Sequence, residues 1–262
     1  MNAFAADTVT IWHREWLRFI RKPARVVMSF ATPLIWMALF GYGMQRGLQV
    51  ALPFPGFEGT YLDWTAPGII AMGMLFTSIF SGMAIIFDRQ FGFLKEILVA
   101  PVARTSFVFG KGLGGMTTAL LQGIVMLILV VAVFGIRFTG PYGATGGFAL
   151  ALATMALLGL GVVNLGIAIA ARLESHEVFM LLTNFLVMPM FFLSGALYPT
   201  HTLPAVLKGV IAFNPMFYAV DGLRHALFGP VAAENPLALD LIVLALFSAA
   251  TTLVAARLFS RA

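Results

Sequence analysis

Cysteine is absent from this chain of 262 residues, and charge is scarce. Without cysteine there can be no disulfide framework and no thiolate metal site. Charged side chains make up 10% of the residues, against about 25% in an ordinary soluble domain. So few cannot cover a core of this size with polar surface, which excludes a soluble globular enzyme. An apolar share of 60% and a mean hydropathy of +0.95 exclude a disordered chain. Barrel strands would alternate apolar and polar residues in segments of about 10. The uncharged runs here are long and continuous, so the chain reads as an all-α integral membrane protein, a helix bundle.

Reaction chemistry is also missing. No phosphate-binding G-x-x-x-x-G-K-[ST] loop occurs: Lys111 follows Gly110, but Gly112 stands where Ser or Thr is required. Nucleophile-elbow and His-Glu-x-x-His patterns are absent, and His13, His176, His201 and His225 are scattered, so no metal site is expected. The central parts of the apolar runs hold almost no ionisable residue, which counts against proton- or sodium-driven transport. Asn164 and Asn184 are polar at depth and suit interhelical hydrogen bonds.

What is present is a set of spans. Uncharged stretches of 20, 24, 25, 34, 30 and 16 residues separate the charges. A span needs about 20 residues. Six transmembrane helices are therefore expected, at about 26–45, 65–87, 112–134, 147–171, 178–198 and 237–256. An even number puts both termini on one side. The segments 1–25, 88–111, 172–177 and 257–262 would then share that side, and they hold 12 of the 16 Lys and Arg residues. The positive-inside rule makes that side cytoplasmic. It also accounts for the net charge of +5 without a nucleic-acid partner. Charges at Asp7, Arg14, Glu15 and Arg18 interrupt any signal-peptide core.

Three connecting segments stand out. In the first, Val9, Trp12, Trp16 and Phe19 follow one helical face while Arg14, Arg18, Arg21 and Arg25 follow another, which suits a helix in the headgroup layer. In the second, FDRQFGFLKEILVAPVAR, large apolar residues are mixed with Asp88, Arg89, Lys95, Glu96 and Arg104. That mixture fits a short amphipathic helix ending before Pro101. Its apolar side fits a membrane interface and a partner's groove equally well. The third segment, 199–235, contains Asn214-Pro215 between two apolar stretches, as expected of two short helices dipping toward the bilayer. Asp221 and Arg224, three apart, can pair on a helix surface. Gating and simple capping of the bundle are both open for this segment.

Three motifs carry a resemblance. They are FDRQFGFLKEILVAPVAR followed by Gly110-Lys111; FFLSGALYP (191–199) followed by Leu203-Pro204; and NPMFYAVDGLRHALFG (214–229). With them the chain resembles, over nearly its whole length, the membrane subunit of bacterial type-two ABC exporters. That group includes drug exporters of the daunorubicin-resistance type, nodulation-factor exporters and polysaccharide or O-antigen exporters.

The resemblance implies a single transmembrane domain that forms a homodimer in the bacterial inner membrane. It implies two separate ATP-hydrolysing subunits, which bind the ATP and magnesium; this chain holds no cofactor and no catalytic residue. Residues 1–25, with Trp12, Arg14, Trp16, Arg18 and Arg21, would be a connecting helix. The loop 88–111, with Asp88, Arg89, Phe91, Gly92, Phe93, Lys95, Glu96, Pro101 and Arg104, would hold the coupling helix. Asn214, Pro215, Tyr218, Asp221 and Arg224 would belong to outer re-entrant helices. The cargo cavity is expected along Phe76, Phe80, Phe185, Met188 and Phe192, whose apolar walls suit amphipathic drugs or lipid-linked molecules.

Overall fold

The computed structural model describes residues 3–21, 23–43, 57, 59–92 and 103–261. Ten α-helices follow one another among them. They are α1 (Ala3–Ile20), α2 (Pro23–Trp36), α3 (Tyr61–Ser81), α4 (Met83–Gln90), α5 (Arg104–Phe134), α6 (Gly143–Ala170), α7 (His176–Phe192), α8 (Ala205–Ala212), α9 (Pro215–Phe228) and α10 (Leu237–Arg261). A π-helical stretch, Met37–Tyr42, prolongs α2, and a 3-10 turn at Thr200–Thr202 precedes α8. No strand occurs among the described residues.

Among the described residues, four helices are long and apolar enough to cross a membrane: Tyr61–Gln90 (α3 running into α4), Arg104–Phe134, Gly143–Ala171 and Leu237–Ser260. The 31 residues of α5 reach about 46 Å at 1.5 Å per residue, beyond a hydrocarbon core of about 30 Å. The helix is therefore longer than a perpendicular crossing requires. The other two expected spans are helical but short, with apolar helices at Ser29–Leu39 and His176–Phe192. Instead of continuing to 198, α7 stops at Phe192: Pro189 lies in its last turn, and the chain then tightens through Gly195, which has φ +69°.

Local chemistry sets several boundaries. Thr60 and Asp63 form a reciprocal capping box at the start of α3. Asn214 caps α9, with Pro215 in the first turn. Inside α2, Pro33 has no N–H to offer the Ser29 carbonyl, which accepts from Gln122 Nε2 of α5 at 2.8 Å. Gln122 also takes the hydroxyl of Thr77, so α2, α3 and α5 meet at one polar node.

The hub of the bundle is α6, which packs on α3, α5, α9 and α10. At its crossing with α3 two glycines face each other. A Cβ at Gly82 would stand 2.3 Å from the Gly166 carbonyl carbon, and one at Gly166 would stand 2.5 Å from the Ile79 oxygen. Only hydrogen side chains allow this approach, as in close helix pairs of membrane proteins. Asn164 spans the neighbouring gap, donating to Thr252 Oγ1 of α10 at 2.8 Å.

Contacts sort the helix ends into two groups. One end of the bundle gathers α1, the end of α4, the start of α5, the α6–α7 turn and the end of α10, where Arg104 donates to the Ser260 carbonyl at 2.9 Å. The other end gathers the start of α3, the turn after α7, α9 and the start of α10.

Candidate functional site

At the first end, charge is concentrated in a buried cluster. Glu15 (α1), Asp88 (α4) and Lys111 (α5) come from three helices far apart in sequence. Lys111 Nζ lies 2.6 Å from Asp88 Oδ2 and 3.4 Å from Glu15 Oε1. Arg18 and Arg14 approach Asp88 at 3.3 and 3.5 Å. Lys111 and Asp88 are both 4% exposed, so this is a desolvated network rather than a surface pairing. Glycines on α5 make it possible. A Cβ at Gly110 would meet Ile11 Cβ at 2.7 Å, and one at Gly114 would meet Glu15 Cβ at 2.6 Å. Spaced four apart, they form a groove in which α1 lies, and Lys111 between them reaches both carboxylates. Trp12 Nε1 donates to Thr117 Oγ1 at 2.9 Å, pinning α1 one turn farther along. Burial, and then repulsion from Arg18, pull the Arg14 guanidinium below its ordinary value, while Asp88 and Glu15 oppose the shift.

The connecting-helix residues thus pack on α5 rather than lying free. Along the outside of α1, Thr10, His13, Arg14, Leu17, Arg18 and Arg21 line a basic groove. Trp16 stacks on Phe19, with ring centroids 6.5 Å apart.

Asp88 and Arg89 fall in the last turn of α4 and not in a separate coupling helix. Arg89 donates to the carbonyls of Ala171 and Leu173, each at 3.0 Å, so it closes the C-terminal end of α6, where a cation is favoured. Gln90 reaches the Glu174 carbonyl at 3.1 Å. Both charged residues are therefore occupied within the chain. What faces outward is Phe91, 82% exposed and stacked on Phe87, followed by Gly92 with φ +79°. Phe93, Lys95, Glu96 and Pro101 lie outside the described residues.

Within the bundle, Phe76 and Phe80 stack with centroids 6.2 Å apart and line a cavity of about 490 Å³. Pro33, Met72, Gln122 and Asn184 share its wall. Phe185, Met188 and Phe192 do not join them. They run down the outer face of α7, 79%, 44% and 44% exposed. Asn184, expected between helices, lines the cavity instead.

At the second end, all 14 residues of α9 are buried. Asn214 Nδ2 donates to the carbonyls of Met190 and Leu193 at 2.7 and 3.0 Å, and Tyr218 donates to the Ala212 carbonyl at 2.8 Å. The expected pairing of Asp221 with Arg224 does not occur, because a buried helix has no open surface on which to close it. Asp221 instead accepts from the Glu234 and Asn235 amides at 2.8 and 2.7 Å. Arg224 lies 3.4 Å over the Trp64 ring and donates to the Gly195 carbonyl at 2.6 Å. The two residues tie the loop after α9 and the turn after α7 to one helix.

A family model described as ABC-2 type transporter matches residues 6–228. The chain belongs to this family. Among its relatives, the putative transport permease ycf38 of Porphyra purpurea is 30% identical over 81% of this chain and 70% of its own length. Nodulation protein J of Rhizobium leguminosarum bv. viciae is 27% identical, covering 88% of this chain and 86% of its own. The inner membrane transport permease YadH of Escherichia coli (strain K12) is 26% identical, covering 100% and 97%.

In this ABC-2 permease the family match runs from α1 to the end of α9, so it includes the Glu15–Asp88–Lys111 network and all of α9 and stops before α10. Sequence reasoning marked Asp88 and Arg18 but missed their partners Glu15 and Lys111. The signal for the contact is a lysine among four glycines, Gly110, Gly112, Gly114 and Gly115, small residues that suit close helix packing.

Proposed function

We propose that this permease is the membrane subunit of an ATP-driven exporter. In this reading the termini are cytoplasmic, six helices span the membrane, and two copies bind two separate ATP-hydrolysing subunits. The cargo is an amphipathic small molecule, a drug or a lipid-linked compound, moved outward from the cytoplasm or the inner leaflet.

The observation that carries the reading is the Glu15–Asp88–Lys111 network. It joins α1, the end of α4 and the start of α5 into one body around an outward-facing Phe91. A push on the loop after Phe91 would reach α3 through α4 and α5 through Lys111, without a hinge in between. The basic groove along α1 offers a second contact for a partner. In the membrane, the cavity beside Phe76 and Phe80 is of the size of small-molecule sites, about 300–1,000 Å³. Its apolar wall favours an amphipath over a polysaccharide, the alternative cargo.

The test is a purification from native membranes in mild detergent, followed by ATPase and transport assays in liposomes. A nucleotide-binding subunit should co-purify in about equal amount. Phe91→Asp combined with Glu96→Lys should leave insertion intact but separate ATP hydrolysis from transport. A chain that purifies alone, or transport unchanged in that double variant, would overturn the reading.

A further inference from the structure

The buried end of α9 holds a cluster that the transport reading does not use. Asp221 and His225 sit one turn apart on α9, and Asp240 projects from the first turn of α10. One potential ligand atom from each lies within 4.8 Å of the other two, and all three residues are buried. The three stand at 0%, 3% and 0% exposure.

Asp240 is the anomaly. Both of its carboxylate oxygens are sealed from solvent and lack a hydrogen-bond partner among the described residues. His225 Nε2 is 3.8 Å away, too far for a hydrogen bond, and the Asn235 side chain also faces the carboxylate. A buried carboxylate in this position carries a large desolvation cost unless a cation or a proton meets it. Arg224 stacks on Trp64 and donates to Gly195, and the carboxylates its charge acts on are Asp221 and Glu234, not Asp240.

We infer that these three residues form a site for one divalent transition-metal ion of the zinc type. Imidazole and carboxylate are common zinc ligands at about 2.0–2.2 Å, which makes ligand-to-ligand edges of about 3.4 Å. The 3.8 Å between His225 Nε2 and Asp240 Oδ2 needs a few tenths of an ångström of closure, and the three ligand atoms together, within 4.8 Å of one another, need at most about 1.4 Å. The Asn235 carbonyl, 2.8 Å from His225 Nε2, is placed as a fourth oxygen donor. Asp221 already holds the Asn235 and Glu234 amides, an outer shell that orients its carboxylate. On binding, Nε2 gives its lone pair to the ion and the ring proton resides on Nδ1. Two carboxylates then balance one divalent charge. The ion would staple α9, the loop after it and the start of α10.

The full-length chain, purified in detergent and stripped with EDTA, is titrated with Zn²⁺ by calorimetry. Metal content is counted by mass spectrometry, and thermal unfolding is followed by tryptophan fluorescence. One zinc per chain and a rise in Tm with zinc are expected. Asp240→Asn and His225→Gln should each weaken binding about 100-fold or more, since outer-shell losses alone cost 10–100-fold. His201→Gln, an exposed residue on the same side, should bind as the unaltered chain does. Should either site variant fail to fold, Co²⁺ in the unaltered chain should still give a visible spectrum of nitrogen and oxygen ligation that zinc displaces. Three results would overturn the site: no stoichiometric metal in the unaltered chain, binding that survives both site variants, or an Asp240→Asn chain that gains stability without metal, as expected if a proton alone occupies the carboxylate.

Discussion

Lys111 is the residue whose loss should be felt most at the α1 end. Its ammonium meets two carboxylates with almost no water present, and removing one partner of such a group strands the others. Lys111→Met should destabilise the protein by about 3–5 kcal/mol, read as a fall in the unfolding midpoint of the detergent-purified chain. Adding Asp88→Asn to it should restore part of that loss, because the second change removes the carboxylate that has lost its nearest cation. Strictly additive losses would mean the two groups do not interact. Pairings of this kind were only half legible in the sequence. Composition and spacing marked Asp88 and the arginines of α1 as unusual, but a contact between residues 15, 88 and 111 depends on how three helices pack. The converse holds for Asp221 and Arg224. Their spacing of three suggested a surface pair, whereas burial of α9 on every side sent each to a different backbone partner.

Elements were more readable than pairs. Helical character follows directly from long uncharged runs, and the two short helices meeting at Asn214-Pro215 are where the breaker put them. Two features escaped. One is that α9 is entirely buried, which its mixed composition, with Asp221, Arg224 and His225, does not suggest. The other is that α7 stops six residues early, because the turn through Gly195 supplies the carbonyl to which Arg224 donates. Asn214 joins these two elements, capping α9 with its oxygen and holding the end of α7 with its amide nitrogen. Asn214→Asp keeps the cap and loses the donor, while Asn214→Ala loses both. The cap is worth about 1 kcal/mol. Each buried carbonyl left unsatisfied costs about 1–3 kcal/mol more. Thermal unfolding should therefore rank the unaltered chain above Asp, and Asp above Ala. Equal losses for the two variants would assign the whole effect to the cap.

For the whole molecule the open question is what covers α7. Leu181, Phe185, Met188 and Phe192 make a continuous apolar stripe, and none of it packs deeply against the rest of the chain. Sequence reasoning grouped three of them with Phe76 and Phe80 as one cavity wall, and a single chain does not bring those groups together. In the proposed homodimer the stripe faces its own copy across a two-fold axis, where each residue near the axis meets its counterpart. The absence of cysteine makes this directly testable, since any disulfide must then come from the introduced residue. Single variants Leu181→Cys, Phe185→Cys, Met188→Cys and Phe192→Cys, oxidised in native membranes, should include at least one that runs as a covalent dimer. Bridging requires Cα atoms within about 4.4–6.8 Å, so only positions close to the axis will react. Leu246→Cys, equally apolar and 65% exposed but on α10, should stay monomeric. If all four α7 variants stay monomeric too, the stripe faces lipid, and the dimer must be built on another surface.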